Sequence, residues 1–479
     1  MMKIEGRTMK TLFSGAIAAI LLVACGGGGN EQVAGIDGRG NPVAVGVVAK
    51  GTITGFGSVI VNGVTYNTSS ATFTIDGSAG SQSDLAVGDV IVLRGTVNDD
   101  GTSPSADSIT FDDTVEGPVE VVNLATSTLT VLGQLVRVDA DTSFDDNISP
   151  ASLDGIDVND IVEVSGFFLA DGSISATRIE AKPAGGVFEV TGRVSNLVGM
   201  TFQINDLVVN FSGAQLDNFP GGSPESGQLV EAKGSGFIGA GELQATRVEF
   251  KSNDLNADNG DRIEIEGFIT RFGSATDFDV EGVAVTTSGS TAFVNGTSAD
   301  LALNRKVEVE GTVDASGRIN ATKVEIKLSN FIRIEGIVDA TTASSATVFG
   351  IAINVNALTR LEDKSAADLE TFALSNVNVG DYLETRSYED ASGVVATRIE
   401  RHDFGGDVAI RAFVDSVSEP NFTIRGVSIE TNGATVFRDF DGSVLQPNQF
   451  FGQAMGRLVE AKGSQNNGGI AATEVELQN

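Results

Sequence analysis

Few kinds of side chain in this sequence can do chemistry. The chain holds 1 His, 1 Cys and no Trp, against 64 Asp and Glu and 31 Lys and Arg, for a net charge of −33. His402 stands in Glu400-Arg401-His402-Asp403-Phe404-Gly405. An imidazole beside Asp403 could move a proton or hold a metal, but one imidazole brings no second nitrogen ligand and no nucleophile at a fixed offset, so a solvated junction histidine is the simpler reading. Between Asp254 and Asp261, oxygen side chains (Asp254, Asn256, Asp258, Asn259, Asp261) surround Gly260, a composition that suits a hard cation such as calcium. The glycine falls one place late for a helix-loop-helix calcium loop and the twelfth position is Ile265, so an Asx-rich turn serves as well. Glu163, Glu231, Glu308, Glu310 and Glu460 alternate with aliphatics, and read as a solvated acidic face that keeps the chain soluble and extended. Tyr66, Tyr382 and Tyr388 are the 3 tyrosines among 27 Phe; Phe202, Phe278 and Phe422 are expected in a core, which leaves little for a stacking platform.

These counts exclude much. One Cys rules out a disulfide scaffold, a thiolate zinc site and an iron–sulfur cluster, and one His removes most triad hydrolases. The negative balance opposes binding to nucleic acid through its phosphates. No catalytic residue, metal or cofactor is assigned on this reading.

The elements that would position these residues repeat. Ala176-Thr177-Arg178-Ile179-Glu180 recurs from Ala245, Ala321, Ala396 and Ala472, with a weaker copy from Ala106, at spacings of 70, 69, 76, 75 and 76 residues. Ahead of it runs a strand ending in glycine: Gly95, Gly166, Gly234, Gly311 and Gly463. Apolar and charged residues alternate there, the period of a strand with two unlike faces. Copy three, residues 186–254, predicts strands near 188–196, 201–205, 207–212, 229–236 and 243–250. Helical turns are expected after the third strand in some copies, at 298–303 and 365–370. The expected fold is therefore all-β: six tandem, small, OB-like five-stranded barrels over 47–114, 115–185, 186–254, 255–329, 330–405 and 406–479. With so little linker between copies, the expectation is a semi-rigid rod in which neighbours share apolar contacts.

The amino terminus reads as a leader. Lys3, Arg7 and Lys10 precede an apolar run, Leu12 to Ala24, too short to cross a bilayer core that needs about 20 helical residues; Met9 is an alternative initiator. Leu22-Val23-Ala24-Cys25 resembles the lipobox of bacterial lipoproteins. That resemblance implies a cleaved signal peptide at 1–24, diacylation of Cys25 and, with Gly26 following, export to an outer membrane. Residues 25–46, opening on four glycines, read as a flexible tether.

Gly51-Thr52-Ile53-Thr54-Gly55-Phe56-Gly57-Ser58-Val59-Ile60-Val61-Asn62-Gly63-Val64, the glycine-ended strand and the Ala-Thr-Arg-Ile-Glu strand together resemble the bacterial repeat family called domain of unknown function 5666, found in tandem in exported lipoproteins. Copy five departs from it, with Tyr382-Leu383-Glu384-Thr385-Arg386-Ser387 where the glycine-ended strand is expected; its hairpin is expected to differ. The expected role is a non-catalytic spacer, scaffold or binding array on the envelope, with a membrane partner through the lipid and another envelope protein or polymer as a further partner. The alternatives are a carbohydrate-active or other hydrolase working with paired carboxylates and a weak multi-site cation binder.

Overall fold

A computed structural model describes residues 43–479, apart from residues 100, 140, 239, 240, 253, 254, 329, 441 and 479. Cys25, the leader and most of the expected tether lie outside the described residues. The tether is shorter than expected, because Ala44, Val45 and Gly46 already belong to the strand Ala44–Gly55 and pair with Asn98, Val97 and Thr96.

The five expected strands of a copy are all present and pair in one circuit. In copy five, Ile332–Thr341 pairs antiparallel with Ser345–Val348, which pairs with Ile351–Asn354. The last runs parallel to Gly393–His402, which returns through Tyr382–Asp390 to the first strand. Copies two, four and six close the same way. In copy three the circuit is split, its middle strands forming a separate five-stranded sheet. Alternation puts one face of every strand inside: Phe202, Phe278 and Phe422 are buried as expected.

Three features escaped the sequence reading. Each copy has a sixth short strand, such as Ser143–Phe144 or Arg360–Asp363, parallel to its Ala-Thr-Arg-Ile-Glu strand. A 3₁₀ turn forms at Ser298–Asp300 as expected, but in copy five it lies at Leu374–Asn376 rather than within 365–370. Copy six instead carries an α-helix, Pro447–Ala454, whose Phe450 and Phe451 enter the core beside Phe422 and Phe437.

The repeated glycine has a steric cause. A β-bulge falls at Arg94/Gly95, Ser165/Gly166, Glu310/Gly311 and Lys462/Gly463, where the two strands close on each other. A Cβ on Gly95 would sit 1.9 Å from the Ser105 carbonyl oxygen, and one on Gly463 2.1 Å from that of Ala471. Copy five keeps the bulge at Arg386/Ser387. Its hairpin is therefore not different in kind, and Ser387 is wholly buried with its hydroxyl unpartnered.

The copies are not arranged as a rod. First strands join the copies in pairs, two of them between chain neighbours and one not: copy two joins copy three through Val115 and Glu116, copy five joins copy six through Arg333–Glu335, and Val47–Lys50 of copy one lies parallel to Arg262–Ile265 of copy four. Copies two and five pack through side chains: Arg398 Nη1 donates to the Thr142 carbonyl at 2.5 Å, Arg360 Nη1 to that of Asp141 at 2.7 Å, and Lys364 pairs with Asp146 at 2.8 Å. A single apolar core per copy of this size is marginal, and lateral joining adds burial that an end-to-end row cannot.

Candidate functional site

The acidic strand faces are where expectation and structure part. Glu163, Glu231 and Glu308 are 5%, 2% and 3% exposed, so they do not form a solvated face. Each lies against a lysine of its own copy: Glu163 with Lys182 at 2.5 Å, Glu231 with Lys251 at 3.1 Å and Glu308 with Lys327 at 2.8 Å. Glu460 meets Arg333 of copy five at 3.2 Å, and Glu310 alone of the five stays well exposed, beside Lys323. The outward face of a small barrel becomes an interior once barrels pack side by side, which a period-two pattern cannot reveal.

His402 is half-buried, with Nε2 3.3 Å from Glu400 Oε2. Burial lowers its pKa, but the Glu400 carboxylate outweighs that and raises it. Asp403 faces elsewhere and accepts from the Ala366 amide at 3.0 Å, so no His–Asp dyad forms. In the candidate calcium segment, Asp261 accepts from the Asp258 amide at 2.9 Å and returns its own amide to the Asp258 carbonyl at 3.0 Å, and the Asn256 carbonyl takes a hydrogen bond from Arg94; Asp254 lies outside the described residues. The described part is a tight polar turn. Tyr66 is buried in the core of copy one, and Tyr382 packs on Phe404.

Tyr388 leads to the site. It lines a cavity of about 440 Å³ bounded by copies one, two, four and five together with Asn330, a volume in the range of small-molecule sites. The parallel joint of copies one and four creates one wall: Thr52 N donates to Glu266 Oε2 at 3.1 Å, and Asn62 donates to the Lys50 carbonyl at 3.2 Å. Copies two and five create the other, where Asp141 accepts from Thr397 at 2.9 Å and from Asn330. Thr52, Asn62 and Asn330 line this cavity, and each has one buried side-chain oxygen (Thr52 Oγ1, Asn62 Oδ1, Asn330 Oδ1) without a hydrogen-bond partner. Buried polar atoms are seldom left so.

Two carboxylates in the wall are biased oppositely. Glu266 and Glu308 are direct cross-strand partners. Burial pushes Glu266 up, but Lys306, Lys327 and Arg360 overcome it and hold the carboxyl down at about 2. Burial pushes Glu308 up, and Lys327 only partly offsets it.

A family comparison places five segments, 45–110, 116–180, 266–325, 335–400 and 411–476, in the family described as Domain of unknown function (DUF5666). The chain belongs to this family. Copy three falls between matched segments, and it is the copy whose strand circuit is split. A comparison with curated proteins finds no match. A solved structure titled "drosophila Unr CSD456" is similar at 14% identity over 46% of this chain and 98% of its own, with a TM-score of 0.11, too low to carry an argument. No helix among the described residues is long and apolar enough to cross a membrane.

Proposed function

We propose that this chain is a non-catalytic envelope binding protein, anchored through acylated Cys25, whose packed copies hold a small polyhydroxyl ligand, of saccharide class, in the cavity between copies one, two, four and five. The observation that carries the reading is one cavity of ligand size lined by polar residues of four copies, three of which, Thr52, Asn62 and Asn330, each keep a buried oxygen without a partner. Ligand hydroxyls donate to acceptors of this kind, while Arg360 and Tyr388 offer a cation and a ring. The strand circuit, first to second to third to fifth to fourth and back, supports an OB-like barrel for each closed copy. The lipobox-like Leu22-Val23-Ala24-Cys25 supports the anchor, and two acyl chains suffice for stable attachment.

Titration of the full chain with mono- and disaccharides, read by calorimetry, tests the cavity. Thr52→Val keeps shape and removes one acceptor; it is expected to weaken binding while leaving the fold intact. The absence of binding across the panel, or equal binding by Thr52→Val, overturns the reading. Membrane fractionation of Cys25→Ser tests the anchor, with release into the soluble fraction expected.

A second reading rests on Glu266 and Glu308. Neighbouring carboxylates pushed in opposite directions are the arrangement glycoside hydrolases use for ionised and protonated partners. A saccharide hydrolysed by wild type and not by Glu308→Gln would favour it.

A further inference from the structure

A separate group of carboxylates lies where copies one, two and three meet. Asp76 sits in the turn after Thr72–Ile75, and Asp113 sits between the last strand of copy one and the first of copy two. Glu116 and Glu163 belong to copy two and Glu189 to copy three. Cross-strand register puts Glu163 opposite Glu116 and Glu116 opposite Glu189, three acids abreast on adjacent strands, a placement that is destabilising for like charges left alone. Oxygen atoms of Asp76, Asp113 and Glu189 lie within 4.8 Å of one another, as do those of Asp113, Glu116 and Glu163. Asp113 is common to both sets.

Asp113 is the decisive member. It is 2% exposed, and neither of its carboxylate oxygens has a hydrogen-bond partner. Its backbone is pinned: its amide donates to Asp76 Oδ1 at 3.1 Å, and the next residue, Thr114, donates its amide to the Val164 carbonyl while its own carbonyl accepts from Thr191. The side chain is thereby held among the other acids. Lys182 on Glu163 and Lys233 on Glu189 set two positive charges against five carboxylates. Three formal negative charges stay uncompensated in a buried place, a costly state unless a cation or protons fill it.

We propose that Asp113, Asp76, Glu116, Glu163 and Glu189 bind one divalent hard cation of the calcium class, which fastens copies one, two and three together. Calcium takes six to eight oxygens at about 2.3–2.6 Å, so two ligands on opposite sides of one ion stand about 4.6–5.2 Å apart, and each of the two sets that share Asp113 lies within 4.8 Å. Asp113 also belongs to the lining of a second cavity, of about 200 Å³, formed by residues of copies one, two, three and four. This site shares no residue with the saccharide cavity, so either proposal stands if the other falls.

Calorimetric titration of the full chain, stripped with chelator and then given CaCl₂, tests the site. One strong site per chain is expected, accompanied by a rise in melting temperature. Asp113→Asn is expected to lose at least about tenfold in calcium affinity and, in chelator, to melt above wild type because it removes an uncompensated charge. Asp258→Asn, in the polar turn of copy four, is expected to keep the wild-type calcium response. The proposal is overturned if millimolar calcium produces neither heat nor a melting shift, if Asp113→Asn responds like wild type, or if Asp113→Asn in chelator melts below wild type.

Discussion

Arg398 and Arg247 occupy the same position of the repeated Ala-Thr-Arg-Ile-Glu strand, yet substitution should affect them very differently. The Arg398 side chain is 6% exposed; it donates to the Thr142 carbonyl of copy two at 2.5 Å and stands 3.5 Å from Glu400 and 3.7 Å from Glu384. Arg398→Met keeps much of the volume and removes the charge. It leaves a buried carbonyl without its donor and two carboxylates short of a partner, a change costing about 3–5 kcal/mol. Glu384 retains Arg386 and Arg333, and Glu400 retains His402, so the lower end, about 3 kcal/mol, is expected. If residues 43–479 unfold as one unit, with about 2.1 cal/mol/K per residue, the transition entropy is about 0.9 kcal/mol/K and the melting point falls by about 3–4 °C. A copy unfolding alone, with about 0.15 kcal/mol/K, would lose about 20 °C in its own transition. Arg247, with its side chain 37% exposed, pairs only within copy three, with Asp217 at 2.6 Å and Glu249 at 3.2 Å. Arg247→Met should therefore cost at most about 1 kcal/mol. Differential scanning calorimetry of both variants distinguishes these outcomes. Equal shifts for the two would refute packing of copy five on copy two and restore independent copies in a row.

Other outcomes follow from single contacts. Gly311→Val would drive a Cβ to 2.4 Å from the Asn320 carbonyl, and should lower stability by several kcal/mol because the bulge must open, at about 1–3 kcal/mol for overpacking plus the lost hydrogen bonds; urea unfolding measures it. Ser387→Gly should do the opposite and raise the urea midpoint, since the unpartnered hydroxyl disappears at a position where every clear copy has glycine. Burial pushes Glu163 up to about 8, and burial with the neighbouring Glu231 pushes Glu189 up to about 9. Folded pKa values above the unfolded ones mean that the folded state holds protons longer. Their stabilising contribution is therefore complete below about pH 4.3 and declines as pH rises toward 8–9. Melting temperature in chelator should fall between pH 5.5 and 8.5, and calcium should flatten that slope; a rise over the same interval would contradict the assignment.

The sequence alone determined the all-β class, the tandem repetition and the inward face of each strand, because these follow from local rules: a period of two, glycine where two backbones close, and a pattern long enough to recur. It also raises the expectation of a leader and an acylated Cys25, whose signals lie in consecutive residues. It could not reveal the sixth short strand, whose pairing is to a residue some 35 positions away, as Phe144 is to Ile179. Nor could it distinguish Arg398 from Arg247, or an exposed glutamate such as Glu310 from a buried one such as Glu308, since both belong to the same alternating strand. Only the tertiary packing decided that, by joining first strands in pairs, copy one with copy four out of chain order, and turning outer faces into interfaces. The physical reason is that a hydrogen-bonding strand edge accepts any partner of matching register. Which partner it takes depends on burial and charge summed over whole copies, and not on neighbours in the chain.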